Sequence, residues 1–399
     1  MNNKLKRPIL VFLFLMLALL PVSNVRGQAK TLKIGQFVTF SGPGSEELVA
    51  GSKVALMAVD WMNQKGGITI KGQKYQIELV QEDDKGSADG AIAATTRLIE
   101  RHKVKFIIGG VVPFITQAVK QITEPAGVLR CVSFMIGVPE DMGPNTPYTF
   151  RTGNGLMDSI PGTFQYLVDA YPNVKTVVVV SPDDAAAPVA LNRIKPVTQR
   201  LGLKLLGMEV YPWGTEDYFP LMTKVLSYKP DAIGQVSGFS GMVAGVMKGA
   251  RQLGFKGPVF CSSDPDIIVI RDIVGKNLAT DFFNTDIVVD DPKMTPMIKE
   301  MHKMWVEKGN ERKHGKLKVA AWNDPWVLVQ AIEAAQSLEP AVVAKTLEQM
   351  ENIQTPSGPG KMGGLKTYGI NHALVKPLAI SRIIDGKAEH VRWFTPEIP

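Results

Sequence analysis

Cysteine and histidine are scarce in this sequence, and complete catalytic motifs are missing. The 399 residues include two cysteines and five histidines; no two histidines are four residues apart, as in a helical zinc site, and none adjoins a cysteine. The segment Gly238–Gly241 approaches a nucleophile elbow, but Met242 stands where the last glycine belongs. Gly360 and Lys361 approach the end of a phosphate loop, but Met362 replaces the required Ser or Thr. We therefore expect neither an enzyme nor a bound metal or cofactor.

The chain also lacks a strong charge imbalance. Its formal net charge is +7, from 45 Lys and Arg against 38 Asp and Glu. Four of the basic residues and none of the acidic ones lie within residues 1–27. The remainder is too nearly balanced to favour a nucleic-acid partner.

Only one long apolar run is present, and it lies at the amino terminus. It extends from Ile9 to Leu20, which is shorter than the roughly 20 residues needed to cross a bilayer. Basic residues precede it, and the small residues Val25 and Gly27 follow. This is the pattern of a secretion signal cleaved after residue 27, with an uncleaved anchor as the alternative. No cysteine directly follows the signal, so we expect a periplasmic protein without a lipid anchor.

Cys131 and Cys261 lie in two separate strand-like runs. A chain of this length can bury enough apolar surface to be stable without a disulfide. Two interpretations remain open at this point: two buried thiols, or one disulfide.

Apolar strands alternate with amphipathic helices along most of the chain. Strand-like runs separated by helices of 10–17 residues predict right-handed βαβ units and a parallel sheet. The pattern restarts after Arg151, which predicts a second lobe of the same α/β class. Ligands bind beyond the carboxyl ends of parallel strands. We therefore expect a cleft lined by the loops 40–47, 112–116, 134–137, 181–187, 237–241 and 262–266.

An ordered set of short motifs indicates a family. It consists of Ser41-Gly42-Pro43, Lys65-Gly66-Gly67-Ile68, Glu82-Asp83-Asp84, Ile107-Ile108-Gly109-Gly110, Phe150-Arg151-Thr152, Ala250-Arg251-Gln252-Leu253-Gly254 and Thr355-Pro356-Ser357-Gly358-Pro359-Gly360. These motifs occur in order along nearly all of residues 31–396. Together they resemble the leucine/isoleucine/valine-binding branch of periplasmic solute-binding proteins.

The resemblance implies a type I periplasmic binding fold with two Rossmann-like lobes and three crossovers, near 148–153, 279–285 and 356–366. It divides the chain into a first lobe of residues 31–150 plus 285–355, and a second lobe of residues 151–280 plus 360–399. It also implies a monomer that closes on a small solute and delivers it to an inner-membrane ABC permease. A periplasmic sensor subunit of the same fold is the first alternative, and an exported α/β enzyme is the second.

Departures from the family pattern indicate which kind of solute is bound. Where the family's amino-acid binders place hydroxyl side chains and a tyrosine, this chain has mainly apolar residues, although amide groups near Phe114 could still bind an anion. Asp264 matches a family acid that holds the solute ammonium. We predict a hydrophobic amino acid or an aromatic or branched carboxylate, and ten ligand-binding residues: Phe114, Ile115, Thr116, Phe134, Met135, Ile136, Ala186, Phe239, Asp264 and Trp322. Each aromatic residue has the alternative of packing in a lobe core, which is the favoured interpretation for Trp322.

Overall fold

The computed structural model describes residues 29–42, 45–310 and 317–398, so the predicted signal at 1–27 lies outside the described residues. None of the helices in these ranges combines the length with the apolar character that a membrane crossing needs. Strands and helices alternate through the first part of the chain. They are β1 (Lys30–Val38), α1 (Ser45–Gln64), β2 (Ile68–Ile70), β3 (Gln73–Asp83), α2 (Ala88–Glu100), β4 (Phe106–Ile108), α3 (Pro113–Thr123), β5 (Leu129–Met135) and β6 (Thr149–Gly155).

The alternation continues through the middle of the chain, and longer helices follow before the chain returns to strands. The middle elements are α4 (Leu156–Ala170), β7 (Thr176–Pro182), α5 (Ala186–Arg200), β8 (Lys204–Tyr211), α6 (Phe219–Ser227), β9 (Ala232–Gln235), α7 (Ser240–Gln252), β10 (Val259–Cys261), α8 (Ile267–Val274) and β11 (Phe282–Asn284). The last are α9 (Pro296–Glu307), α10 (Val319–Ala335), α11 (Pro340–Glu348), β12 (Ile353–Thr355), β13 (Gly358–Gly363), α12 (Leu365–Tyr368), β14 (Ala373–Val375), β15 (Leu378–Ile384) and β16 (Lys387–Phe394).

Local chemistry explains where several helices begin and end. The side chain of Ser87 accepts a hydrogen bond from the Gly90 amide at the start of α2. The Asp266 carboxylate does the same for two amides at the start of α8. Such side chains satisfy amides that have no partner within the helix. After α1, Gly66 and Gly67 adopt positive φ angles of 105° and 72°, which suit glycine and end the helix.

The elements form two sheets, which confirms the predicted two-lobed α/β architecture. The first sheet has the strand order β12-β13-β14-β6-β5-β4-β1-β3-β2, and the second has the order β16-β15-β11-β10-β9-β7-β8. Within each sheet the central strands are parallel. In the second sheet, β15 and β16 extend the edge in antiparallel orientation. The parallel strands therefore direct their carboxyl ends toward one edge of each sheet.

The chain passes between the sheets at points that differ from the predicted crossovers. Residues 148–153 overlap β6, and the chain leaves the first sheet after Gly155, where α4 begins. The predicted second crossover at 279–285 overlaps β11, which belongs to the second sheet.

The third predicted crossover, at 356–366, is wrong, and so is the placement of residues 360–375 in the second lobe. Strand β13 pairs with β14, and Ala373 of β14 pairs with Arg151 of β6, all within the first sheet. The Gly- and Pro-rich segment forms the turn of the β12–β13 hairpin and strand β13 itself. The chain crosses only after Val375, through Lys376 and Pro377 to β15.

Both cysteines are free and buried, so the interpretation as two thiols is confirmed. Cys131 lies in β5 of the first sheet and packs in the core with Phe106 and Ile332. Cys261 lies in β10 of the second sheet and belongs to a different core cluster. Burial raises the pKa of Cys261 to about 11 and that of Cys131 well above its ordinary value. Neither thiol is therefore placed or ionised so as to act as a nucleophile.

Candidate functional site

A cavity of about 1190 Å³ lies between the two sheets. Loops after β1, β4 and β5 line it on the first side, and loops after β7, β8, β9 and β10 line it on the second. Its volume lies somewhat above the usual range for small-molecule sites, roughly 300–1,000 Å³. The topology therefore places the cleft where parallel sheets bind ligands.

Seven of the ten predicted site residues line this cavity. They are Phe114, Ile115, Phe134, Ile136, Ala186, Phe239 and Asp264. The first four come from the first lobe and the last three from the second. The structure therefore brings together residues that are as much as 150 positions apart in the sequence.

Three predicted site residues lie elsewhere. Thr116 is buried in α3, where its hydroxyl donates a hydrogen bond to the Val112 carbonyl at 3.1 Å. Met135 is buried in a separate core cluster with Tyr368, because neighbouring residues of a strand point to opposite faces and Phe134 takes the cleft face. Trp322 is 1% exposed and packs edge-on against Trp61 at a ring distance of 5.6 Å. Trp322 is a core residue, as the favoured interpretation held.

Exposed aromatic rings meet the cleft from both lobes. Phe114, in the first turn of α3, is 57% exposed although it is a large apolar side chain. On the other lobe, Trp213 is 48% exposed and lies edge-on to Phe239, with ring centroids 5.9 Å apart. Exposed aromatic rings that line a cavity offer apolar surface to a ligand. The arrangement favours a solute with an apolar body.

The first turn of α3 presents amide groups without a side-chain cap. Pro113 occupies the first helical position, and Val112 before it makes no side-chain hydrogen bond to the helix. The amides of Phe114 and Ile115 therefore belong to the group that has no partner within the helix. They are available to a negatively charged or carbonyl group in the cleft.

A chain of polar groups crosses the deep wall of the cavity. The Lys376 ammonium donates a hydrogen bond to the Asn154 side-chain oxygen at 2.6 Å. The Asn154 side-chain nitrogen donates in turn to the Asp264 carboxylate at 3.0 Å. Burial lowers the pKa of Lys376 to about 8, and the Asp264 carboxylate limits that fall. The three residues link the third crossover, the end of β6 and the second lobe.

A second lysine in the cavity is already paired. Lys318 lies 3.5 Å from the Glu47 carboxylate of α1. Burial acts to lower the pKa of Lys318, but Glu47 and Asp286 outweigh it and hold that pKa above its ordinary value. Glu47 also accepts a hydrogen bond from the Ser240 amide at the start of α7, at 3.1 Å. This contact joins a helix of the first lobe to a helix of the second.

Most carboxylates of the cavity wall are bound to the protein backbone. Asp84 accepts from the Thr39 hydroxyl at 2.6 Å and from the Gly86 amide at 2.8 Å. Asp184 accepts from the Ala186 amide at 2.9 Å. These acids fix turns and helix starts. Among the described residues, no cluster of three or more His, Cys, Asp or Glu could hold a metal ion.

Asp324 is a buried carboxyl group just behind the cavity wall. It is 1% exposed, and it accepts hydrogen bonds from the hydroxyls of Ser133 and of Thr152, the latter at 2.7 Å. Burial raises the pKa of Asp324 to about 7, and the two hydroxyls oppose that rise. Since Ser133 lines the cavity, Asp324 fixes part of the wall from the first lobe.

Replacing Asp324 with asparagine should change how stability depends on pH. The folded-state pKa lies above the unfolded value of roughly 4, so the folded state binds more protons between the two values. The contribution of Asp324 to stability is therefore greatest at low pH and is lost as the pH rises from about 4 through 7. The loss has a limit of about 1.4 kcal/mol per pH unit. Urea unfolding of both proteins at pH 5, 6 and 7.5 measures it, and the Asp324→Asn variant should gain relative to the wild type as the pH rises.

The buried imidazole of His372 makes stability depend on pH in the opposite direction, and it does so equally in both proteins. Burial lowers its pKa to about 4, so it reduces stability as the pH falls below about 6.5. The difference between the two proteins removes this contribution. Asp60→Asn, in an exposed ion pair with Lys308, is the matched control and should leave the pH slope unchanged. Equal slopes for Asp324→Asn and wild type would contradict the prediction.

Several cavity residues were missed by sequence reasoning, for different reasons. Trp213 follows β8 in a Pro-Trp-Gly turn, and the rule that ligands bind beyond strand ends could have found it. Lys376 and Asn154 lack any local signal, because a lysine and an asparagine are ordinarily exposed. Asn323 lines the cavity, and its buried side-chain oxygen has no partner among the residues that the structure describes. It is an acceptor that a donor group of a solute could satisfy.

The fold and the cleft define a class of protein: a two-lobed α/β protein with a cavity for a small molecule between its lobes. A family model described as periplasmic binding protein matches residues 31–388. The chain belongs to this family, and it is accordingly a binding protein and not an enzyme.

Three relatives illustrate the similarity. A leucine-, isoleucine-, valine-, threonine- and alanine-binding protein of Pseudomonas aeruginosa is 24% identical over 352 residues, which cover 87% of this chain and 89% of that protein. The structure of the branched-chain amino acid transporter substrate-binding protein LivJ from Streptococcus pneumoniae, in complex with isoleucine, has a TM-score of 0.75 at 20% identity, covering 92% of this chain and 100% of the other. A solute-binding protein of an ABC transporter from R. palustris, in complex with benzoate, has a TM-score of 0.74 at 18% identity, covering 92% and 97%.

Proposed function

We propose that the protein captures a small carboxylate with an apolar body in its cleft and delivers it to an ATP-driven permease of the inner membrane. The solute is an aromatic or branched carboxylate, or a hydrophobic amino acid. The observation that carries the proposal is that aromatic rings line one cavity from both lobes: the exposed Phe114 on one lobe, and the exposed Trp213 with the partly buried Phe239 on the other. Rings on both walls can enclose an apolar solute when the lobes close.

The relatives support the same two solute classes. One structure of similar fold holds isoleucine and another holds benzoate. These solutes share a carboxylate and an apolar body, and they differ in the ammonium group. The cavity has groups for each part: rings for the body, Lys376 and the α3 amides for the carboxylate, and Asp264 for an ammonium or a hydroxyl.

The proposal includes the place where the protein works. The segment 1–27 directs export and is removed, and the remaining chain works as a monomer in the periplasm without a lipid anchor. The pattern of residues 4–27 supports this part of the proposal.

A thermal-shift screen of residues 28–399 tests the solute class. The panel contains benzoate, phenylacetate, isoleucine and phenylalanine, with glycine and threonine as polar comparisons. A ligand present at 100 times its dissociation constant stabilises the native state by about 2.7 kcal/mol. The aromatic and branched compounds should raise the melting temperature while glycine and threonine leave it unchanged. A response to glycine or threonine alone would overturn the role of the aromatic rings.

A sensor subunit of the same fold is the second candidate, and a cell experiment separates it from a transport protein. Uptake of the labelled solute is measured in cells with and without the gene. Loss of uptake supports delivery to a permease. Normal uptake combined with loss of a transcriptional or motility response to the solute would support the sensor.

A further inference from the structure

We propose that Lys376, from within the third crossover, is the residue that binds the carboxylate of the solute and so determines its charge specificity. This inference rests on the proposed function, since it assigns one part of the solute to one side chain. The sequence offered only the backbone amides near Phe114 as groups that could bind an anion, and Lys376 is added to them here.

The surroundings of Lys376 are unusual for a lysine. Its residue is 4% exposed, yet it lines the cavity. An ammonium group can donate three hydrogen bonds, and in the described part of the chain Lys376 donates one, to a neutral amide oxygen of Asn154. Within that same part, no carboxylate lies close enough to form an ion pair with it. A buried ammonium in this state is unfavourable unless another group supplies the negative charge.

The charges around Lys376 are engaged by other groups. Three acids face it, and each has its own hydrogen-bond donor: Asp264 has Asn154, Asp158 has Arg151, and Asp324 has Ser133 and Thr152. The positively charged guanidinium of Arg151 also faces Lys376 and disfavours the charged form of this lysine. A solute carboxylate entering from the cavity would give the ammonium a partner that the protein does not provide.

The other cation of the cavity is less suited to this task. Lys318 already lies 3.5 Å from the Glu47 carboxylate, and Asp286, Asp264 and Asp266 add to the negative potential around it. A solute carboxylate near Lys318 would have to compete with these acids. Lys376 is therefore the cation that gains most from an anionic solute.

The position of Lys376 in the chain suits recognition. It lies between β14 of the first sheet and β15 of the second, and Pro377 directly follows it. Proline fixes its own φ angle and restricts the residue before it. The lysine is thus held in a short and stiff connection between the lobes. A carboxylate bound to it would contact this connection directly.

The affinity for a carboxylate bound at Lys376 should depend on pH. The pKa of Lys376 is lowered to about 8 by burial, so the ammonium loses its proton above that pH. A bound carboxylate favours the charged form and raises this pKa. Binding above pH 8 therefore takes up a proton, and affinity should fall up to tenfold per pH unit as the pH rises beyond 8. A neutral solute of the same shape should show no such fall.

The experiment measures, by calorimetry at pH 7, the binding of two carboxylates and their neutral-headed amides to three proteins. The probes are benzoate with benzamide, and isoleucine with isoleucinamide. The proteins are the wild type, Lys376→Met, and the control Lys361→Met, which changes an exposed lysine of β13 outside the cavity. Lys376→Met should weaken carboxylate binding on the order of 10- to 100-fold, which is the loss of a charge-assisted hydrogen bond. It should leave the binding of neutral benzamide unchanged and should not weaken the binding of isoleucinamide, which is a cation. The control Lys361→Met should bind all four probes as the wild type does.

The outcomes separate this inference from the proposed function. If neither carboxylate binds the wild type, the proposed function fails and this inference fails with it. If a carboxylate binds the wild type and Lys376→Met equally tightly, only this inference is overturned. Should Lys376→Met not fold, the wild type alone decides: benzoate affinity must fall between pH 8 and 9.5 while benzamide affinity stays constant, and equal profiles for the two probes reject the role of Lys376.

Discussion

Replacing Asp158 with alanine should lower the free energy of unfolding by about 3–5 kcal/mol. Asp158 lies in the first turn of α4, and its carboxylate accepts a hydrogen bond from Arg151 of β6. The side chain of Arg151 is fully buried, and that of Asp158 is 8% exposed. The guanidinium keeps its charge at any ordinary pH, so the variant leaves it buried without a counter-charge. Urea unfolding at pH 7 measures the loss.

The same helix provides a matched control. Asp169 pairs with Arg392 at the surface, where both side chains are more than one third exposed. Asp169→Ala should therefore lower the free energy of unfolding by no more than about 1 kcal/mol. The double variant Arg151→Met, Asp158→Leu removes both charges and should recover much of the loss. Equal losses for Asp158→Ala and Asp169→Ala would show that the buried pair does not stabilise the fold in the way described.

Replacing Phe114 or Phe239 with alanine should weaken solute binding by about 10- to 100-fold each. Burying a large apolar side chain against a ligand contributes roughly 1.5–3 kcal/mol, and 1.4 kcal/mol corresponds to a factor of ten in the dissociation constant. Phe114 is 57% exposed in the cleft, so its removal leaves the protein core unchanged. Calorimetric titration with the best ligand of the thermal-shift panel measures the effect.

Phe219 is the control for this pair. It is 49% exposed at the start of α6, in the same lobe as Phe239, but it does not line the cavity. Phe219→Ala should bind the solute as the wild type does. Unchanged affinity in both Phe114→Ala and Phe239→Ala would mean that the rings do not contact the solute.

The α/β alternation could be predicted because local sequence patterns determine it. Apolar runs of strand length and apolar spacing of helical period recur between glycine-rich turns, and these determine the sheet class. The third crossover could not be located in this way. A hairpin turn and a crossover share the same Gly- and Pro-rich composition, and only the pairing of β13 with β14 and of β14 with β6 distinguishes them.

Local sequence patterns could likewise predict only part of the site. Phe114 and Phe239 follow strands, and the rule for parallel sheets places them at the cleft. Phe134 and Met135 are neighbours that point to opposite faces of β5, and the sequence alone does not show which of them faces the cavity. Lys376 was out of reach, because its burial results from contacts with residues such as Asn154, more than 200 positions away.

Two of the connections between the lobes are short, and this bears on the order of events during binding. The chain passes from β6 to α4 with no residue between them, and from β14 to β15 through two residues. If one lobe rotates relative to the other about these connections, we expect Asn154 and Lys376, which lie at them, to move less than Phe114 and Phe239, which are carried by the lobes. We therefore expect Asn154 and Lys376 to keep their places when the cleft closes. We expect the carboxylate of the solute to meet these polar groups first, and the rate of solute release to depend on the rings that then close over the apolar body.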